Sequence, residues 1–250
     1  SSDVCSSDLD LLTQEEIKTH WREVEAAMLK ELKTRADLKC FSRKKGADAR
    51  NIIDTRWVLK FKWEQPTVNA VASANASGGS RLAEAQKATK TIRARLTVRG
   101  FKGQDRKEVD RYAGTSSRSS QKLLVSEAVC RGWDICTTDI SKAFLQGVTY
   151  EELAELTGTK PREVNFFLPA SNIPLLRKVP GFEDFDPRNE VLHCDKPGTG
   201  LVDAPRAFSI KLAKVTEGKC NMKPSKIDPE LCLRHDNGRL VCMLTKHVEI

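Results

Sequence analysis

Residues 92–99 read Ile92-Arg93-Ala94-Arg95-Leu96-Thr97-Val98-Arg99. Apolar and polar side chains alternate without a break. That is the period of a β-strand, whose successive side chains point to opposite faces. Ile92, Ala94, Leu96 and Val98 share one face; Arg93, Arg95, Thr97 and Arg99 share the other. Upstream, residues 56–63 (RWVLKFKW) repeat the pattern, with Trp57, Leu59, Phe61 and Trp63 opposite Arg56, Val58, Lys60 and Lys62. Paired, the two strands present one apolar face and one face carrying Lys60, Lys62, Arg93, Arg95 and Arg99. Like charges across a sheet repel, so such a face is easier to understand against phosphate than as a merely solvated basic surface.

The charge count agrees. The 250-residue chain has 42 Lys+Arg and 34 Asp+Glu, a net of +8. Residues 41–111 hold 17 Lys/Arg and 7 Asp/Glu, a net of +10, so the remainder carries −2. An anionic partner is expected on that one segment. Between the two strands, residues 67–91 are rich in Ala, Ser and Gly, with no aromatic residue, and read as a flexible insertion. No apolar run approaches the roughly 20 residues of a spanning helix, and the start has no secretory signal. An intracellular protein with reduced thiols is expected, cytoplasmic or nuclear and not secreted. The eight cysteines include no C-x-x-C pair and the histidines are scattered, so zinc-ligand spacing is lacking.

Outward from the hairpin, Thr13-Gln14-Glu15-Glu16 has capping-box spacing. Ile17, Trp21, Val24, Met28 and Leu32 then form the stripe of an amphipathic helix over 13–37. Ser119 or Ser120 is placed to cap a helix reaching Arg131, with Leu124/Ala128 and Val125/Val129 at helical spacing and Gly132 at its end. Residues 133–140 read as a short strand, SKAFLQG as a turn into helix, and 151–160 as helical. Residues 165–200 read as short strands and loops. Asp203 is expected to cap a helix opening Ala204-Pro205 and running to about Glu217. Residues 230–248 read as a hairpin about Asn237-Gly238. The order of elements is α+β, not a βαβ relay.

An acid at a strand end beside a helix start, as at Asp139, can hold a divalent cation; alone it is more commonly a helix cap. The motifs TRWVLKFKW, RARLTVRGF, TTDISKAFLQG, GTGLVDAPRAF and LTKHVEI occur in that order. Together they resemble the reverse transcriptase of copia-type retrotransposons, over roughly residues 20–250. The resemblance implies a right-hand polymerase fold: an N-terminal helix (10–40), fingers (41–118) and palm (119–250). It implies two Mg²⁺ ions, primer–template nucleic acid and dNTPs as partners. By motif match, Asp139 is a catalytic and metal-binding carboxylate, and Ile140 offers its carbonyl to the metal. Arg93, Arg95, Phe144 and Gly200 fall at nucleotide-binding positions. Lys60, Lys62, Arg99, Pro205 and Arg206 fall at template-binding ones.

The chain departs from the family at His247-Val248-Glu249-Ile250. Glu249 stands on the first aspartate of the catalytic hairpin, as catalytic and metal residue, and Ile250 on the second. Glu moves the carboxylate by about 1 Å, a misplacement that can cost on the order of 10²-fold in rate; Ile offers no ligand. Thr199 and Val202 also replace residues usually aromatic and basic. The expectation is a polymerase-type fragment cut within its catalytic hairpin, before the thumb, and inactive. The alternative is a non-catalytic basic nucleic-acid-binding module. Residues 1–9 (SSDVCSSDL) read as foreign to the fold, resembling a translated sequencing adapter.

Overall fold

The computed structural model describes residues 11–64, 89–103 and 109–245. The chain forms two compact units, each assembled from separated stretches. The first holds 11–36, 55–64, 89–97 and 168–186; the second holds 37–54, 98–103, 109–167 and 187–245.

In the first unit the capping box forms. Thr13 N–H donates to Glu16 Oε2 (2.8 Å) and Glu16 N–H to Thr13 Oγ1 (3.3 Å), opening helix α1, Gln14–Thr19. The single helix expected over 13–37 is broken at His20, and α2 is Trp21–Asp37. Val24, Met28 and Leu32 are buried as the stripe requires, but Trp21 is 49% exposed. Arg35, also buried, is held by Glu31 one turn earlier and donates to the Leu96 carbonyl. Leu96 lies on β3 (Thr89–Val98), the neighbour of β2 (Ile52–Glu64). Strand β3 thus begins at Thr89, inside the stretch read as insertion; residues 67–88 of that stretch lie outside the described residues.

The alternation of β3 holds in space. Ala94, Leu96 and Val98 are buried, Arg93 is exposed and Arg95 half-buried. On β2 burial fades along the strand: Trp57, Leu59 and Phe61 are half-buried and Trp63 is 60% exposed. Phe61 meets the His20 ring edge-on at 6.0 Å, and the Lys90 ammonium lies 3.6 Å above its centre. Leu11 and Leu12 pair with β2 at Lys60 and Leu59 and occupy that part of its edge.

In the second unit β1 (Phe41–Lys45), β5 (Glu190–Cys194), β4 (Asn165–Phe167) and the start of β2 lie in that order. β2 pairs with β4 in parallel, Ile53 opposite Phe166; the β1–β5 and β4–β5 pairs are antiparallel. The architecture is α+β with a mixed sheet. Phe166 is 1% exposed and stacks edge-on against Phe41 at 5.9 Å.

A polar latch binds these strands. Glu163 accepts from Lys44 Nζ (2.7 Å), the Arg50 N–H (3.0 Å) and Asn165 Nδ2 (2.8 Å). These bonds, Lys44 first, hold its carboxyl down to about 2. A depressed carboxyl stabilises the fold fully above its ordinary 4.5, and that contribution is lost as pH falls toward about 2. Glu163→Gln is therefore expected to flatten the loss of thermal stability between pH 5 and pH 2, measured by circular dichroism. An acid profile identical to wild type would remove Glu163 as the cause.

Helix α3 is Arg118–Arg131. Its cap is Ser117, whose Oγ accepts from the Ser120 N–H at 3.0 Å, rather than Ser119 or Ser120. Gly132 closes it in the left-handed region at φ 64°, as expected. Of the two apolar pairs, Ala128 is buried while Val125 and Val129 are exposed. α4 is Tyr150–Thr157 and the short α5 is Ile173–Leu176, the latter in the first unit. α6 is Ala204–Gly218, with Pro205 in its first turn. Asp203 occupies the cap position of α6, but its side chain makes no capping bond. β6 (Lys223–Pro224), β7 (Leu231–Asp236) and β8 (Arg239–Leu244) form a separate antiparallel sheet. The β7–β8 turn has Asn237 and Gly238 both at positive φ (49° and 79°), the two-residue turn expected from the sequence.

Residues 133–140 do not form the expected strand. They are irregular, and Ile135 and Ile140 are 57% and 42% exposed. A strand needs a ladder partner, and among the described residues no strand pairs with this segment. Among the described residues no disulfide forms, and no helix is long and apolar enough to cross a membrane.

Candidate nucleic-acid interface

Two sets of cationic side chains follow from the strands above. In the first unit, Lys60 and Lys62 on β2 and Arg93 and Arg95 on β3 hold positions of one parity on each strand. Lys62 and Arg93 are exposed; Lys60 and Arg95 are half-buried. Burial, then the adjacent Arg93 charge, lowers the Arg95 guanidinium from its ordinary value, while Glu31 acts in the opposite sense. An arginine so placed remains a cation at neutral pH and is already partly stripped of water.

In the second unit the chain leaving β3 meets the segment before α6. The Val98 N–H donates to the Thr199 carbonyl (3.1 Å) and the Gly100 N–H to the Gly200 carbonyl (3.2 Å). The approach is close enough to require glycine, since a Cβ on Gly100 would lie 2.4 Å from the Gly200 carbonyl oxygen. Residues about a hundred positions apart, from the motifs RARLTVRGF and GTGLVDAPRAF, are thus joined by backbone bonds. Gly200 is exposed at φ 94°; Pro205 and Arg206 are half-buried. Arg206 faces Asp110 at 3.4 Å.

The anchor of this segment was not legible in the sequence. Asp203 Oδ2 accepts from Arg162 Nη1 at 2.9 Å, and Asp203 Oδ1 accepts from the Tyr150 hydroxyl at 3.5 Å. The Arg162 and Asp203 side chains are 8% and 2% exposed. Burial, then the Asp203 charge, pushes the Tyr150 hydroxyl well above its ordinary value, so it stays protonated and donates. Arg162 lies 41 residues from Asp203, with no local spacing to betray the pair.

Asp139 and Ile140 are exposed in the irregular segment, ahead of a single 3-10 turn at Ala143–Gln146. That turn docks on α6, where the Val148 N–H donates to the Ala207 carbonyl (3.3 Å). Phe144 is half-buried within it. Glu249 lies outside the described residues. Among the described residues no group of three or more His, Cys, Asp or Glu is placed to hold a metal ion. Of the two carboxylates expected to hold Mg²⁺, Asp139 is the one that lies among the described residues. Against protein-family models, curated proteins and solved structures, the chain finds no match.

Proposed function

We propose that this chain is a nucleic-acid-binding protein of the copia-type reverse transcriptase kind, which holds single or paired strands through its basic strands and does not extend a primer. The observation that carries the reading is β3: its apolar positions are buried while Arg93 is exposed and Arg95 half-buried. The backbone bonds joining Val98 and Gly100 to Thr199 and Gly200 support it, because they gather two of the family-like motifs. The absence of polymerase chemistry rests on the Glu249–Ile250 substitution read from the sequence.

Binding of a labelled primer–template should weaken steeply with salt, since released counterions supply the affinity. Replacing Arg93 and Arg95 together by Ala should reduce the log–log salt slope by about one unit for each phosphate no longer neutralised. An unchanged slope would take both residues off the interface. In the same preparation, Mg²⁺ and dNTPs should yield no product above an Asp139→Ala control. Asp139-dependent extension would overturn the non-catalytic assignment and restore polymerase activity.

A further inference from the structure

Within the second unit, the turn that ends β3 carries Arg99, at a template-binding position by motif match, together with side chains to which no motif match gives a role. Asp54 Oδ2 accepts from both Arg99 Nη1 and Lys102 Nζ, each at 2.9 Å. The Asp54 carbonyl accepts from the Arg99 N–H (3.1 Å), and the Lys102 N–H closes the turn on the Arg99 carbonyl (2.9 Å). Between the two cations in sequence stands Phe101, 59% exposed. Asp54 is fixed at the start of β2, in register with Phe167 of β4.

From this arrangement we propose that Arg99, Phe101 and Lys102 form a clamp for one nucleotide of single-stranded nucleic acid, in which Asp54 holds the place of the phosphate. The inference rests on the nucleic-acid reading above and names a site within it. Three observations converge. Two cations meet at a single oxygen, the geometry a phosphate oxygen would require. Two cations against one carboxylate leave a net +1, so an anion is still attracted. An exposed aromatic residue, Phe101, stands on the same turn, and base stacking on such rings is the sequence-tolerant component of single-strand binding.

Energetics allow the exchange. Arg99 and Lys102 are 37% and 46% exposed, and ion pairs of this kind hold weakly against water and salt. The other Asp54 oxygen, Oδ1, is buried and has no hydrogen-bond partner among the described residues. The carboxylate is therefore imperfectly satisfied where it lies, and a phosphate with several free oxygens can take both cations from it. Asp54 acts as a competing anion that weakens non-specific binding, while the turn keeps both cations close together.

The test uses the full chain with two probes, a labelled 12-nucleotide single strand and free pyrophosphate. Asp54→Asn is expected to tighten both about fivefold and to steepen the salt slope for the oligonucleotide by about one. Lys102→Ala should weaken both and flatten that slope by about one. Phe101→Ala should weaken the oligonucleotide about tenfold and leave pyrophosphate unchanged, since only the base stacks. Lys102→Ala alters an exposed side chain, so it decides the matter if Asp54→Asn fails to melt cooperatively. Asp54→Asn that weakens or does not change either probe, or Lys102→Ala with an unaltered slope, overturns the clamp. Equal effects of Phe101→Ala on both probes overturn the stacking role. If wild type binds no oligonucleotide yet these variants shift pyrophosphate as stated, the turn is a phosphate site only, and both the nucleotide clamp and the nucleic-acid reading fall. If the oligonucleotide binds and no variant matters, the clamp falls and the nucleic-acid reading stands.

Discussion

Arg162→Ala is expected to destabilise the protein by about 3–5 kcal/mol, the cost of leaving a buried carboxylate without its partner. Asp203 is 1% exposed, and its remaining partner, the Tyr150 hydroxyl, is at 3.5 Å. A neutral donor at that distance cannot replace a guanidinium at 2.9 Å. The stranded carboxylate must either stay ionised in a poor medium or take up a proton. Both routes cost free energy at neutral pH. The same reasoning orders the other variants. Arg162→Leu combined with Asp203→Leu removes both charges and should be less damaging than Arg162→Ala alone, because buried pairs contribute little beyond their mutual compensation. Urea unfolding followed by circular dichroism gives the comparison. A double variant as unstable as the single would mean that the pair contributes through its packing. The consequence reaches the interface, since Asp203 precedes Ala204-Pro205-Arg206 and follows Gly200.

The second large effect is expected from Phe166→Ala, about 3–5 kcal/mol for truncating a buried phenylalanine. Phe166 is 1% exposed and lies on β4, between β2 on one side and β5 on the other. Its truncation removes the ring stacked on Phe41 and leaves a cavity in the only strand that joins β2 to β5 among the described residues. Phe166→Leu retains most of the volume and should cost considerably less. A Phe166→Ala protein within about 1 kcal/mol of wild type would show that the site collapses around the gap. That outcome would be unusual for so tightly enclosed a ring.

Much of the local structure was legible residue by residue. The Thr13–Glu16 capping box, the β3 alternation, the Gly132 terminus and the Asn237-Gly238 turn all depend on near neighbours in the chain, and each forms. Less legible were features whose cause lies far along the chain. Asp203 has the chemistry of a helix cap and stands at the cap position, yet its carboxylate is taken by Arg162. Residues 133–140 have a strand-like composition, but composition does not supply the second strand of a ladder. α3 offers two apolar pairs at the same spacing, and only one stripe can face the interior. Nothing within the helix decides between Ala128 and Val129. Arg99 could be assigned to an interface from the alternation of residues 92–99, whereas its ion pair with Asp54, shared with Lys102, could not.

The net +10 over residues 41–111 and the strict period two of residues 92–99 are properties of the sequence by itself. They determined that two half-buried strands with basic positions would form and which side chains would bear their charge. Only the tertiary structure decided which of those charges are engaged. It set Asp54 against Arg99 and Lys102, and Asp110 against Arg206. The physical reason is range: helix and strand periods act through neighbouring bonds, while ion pairs and sheet partners depend on which distant segments the packed core brings together.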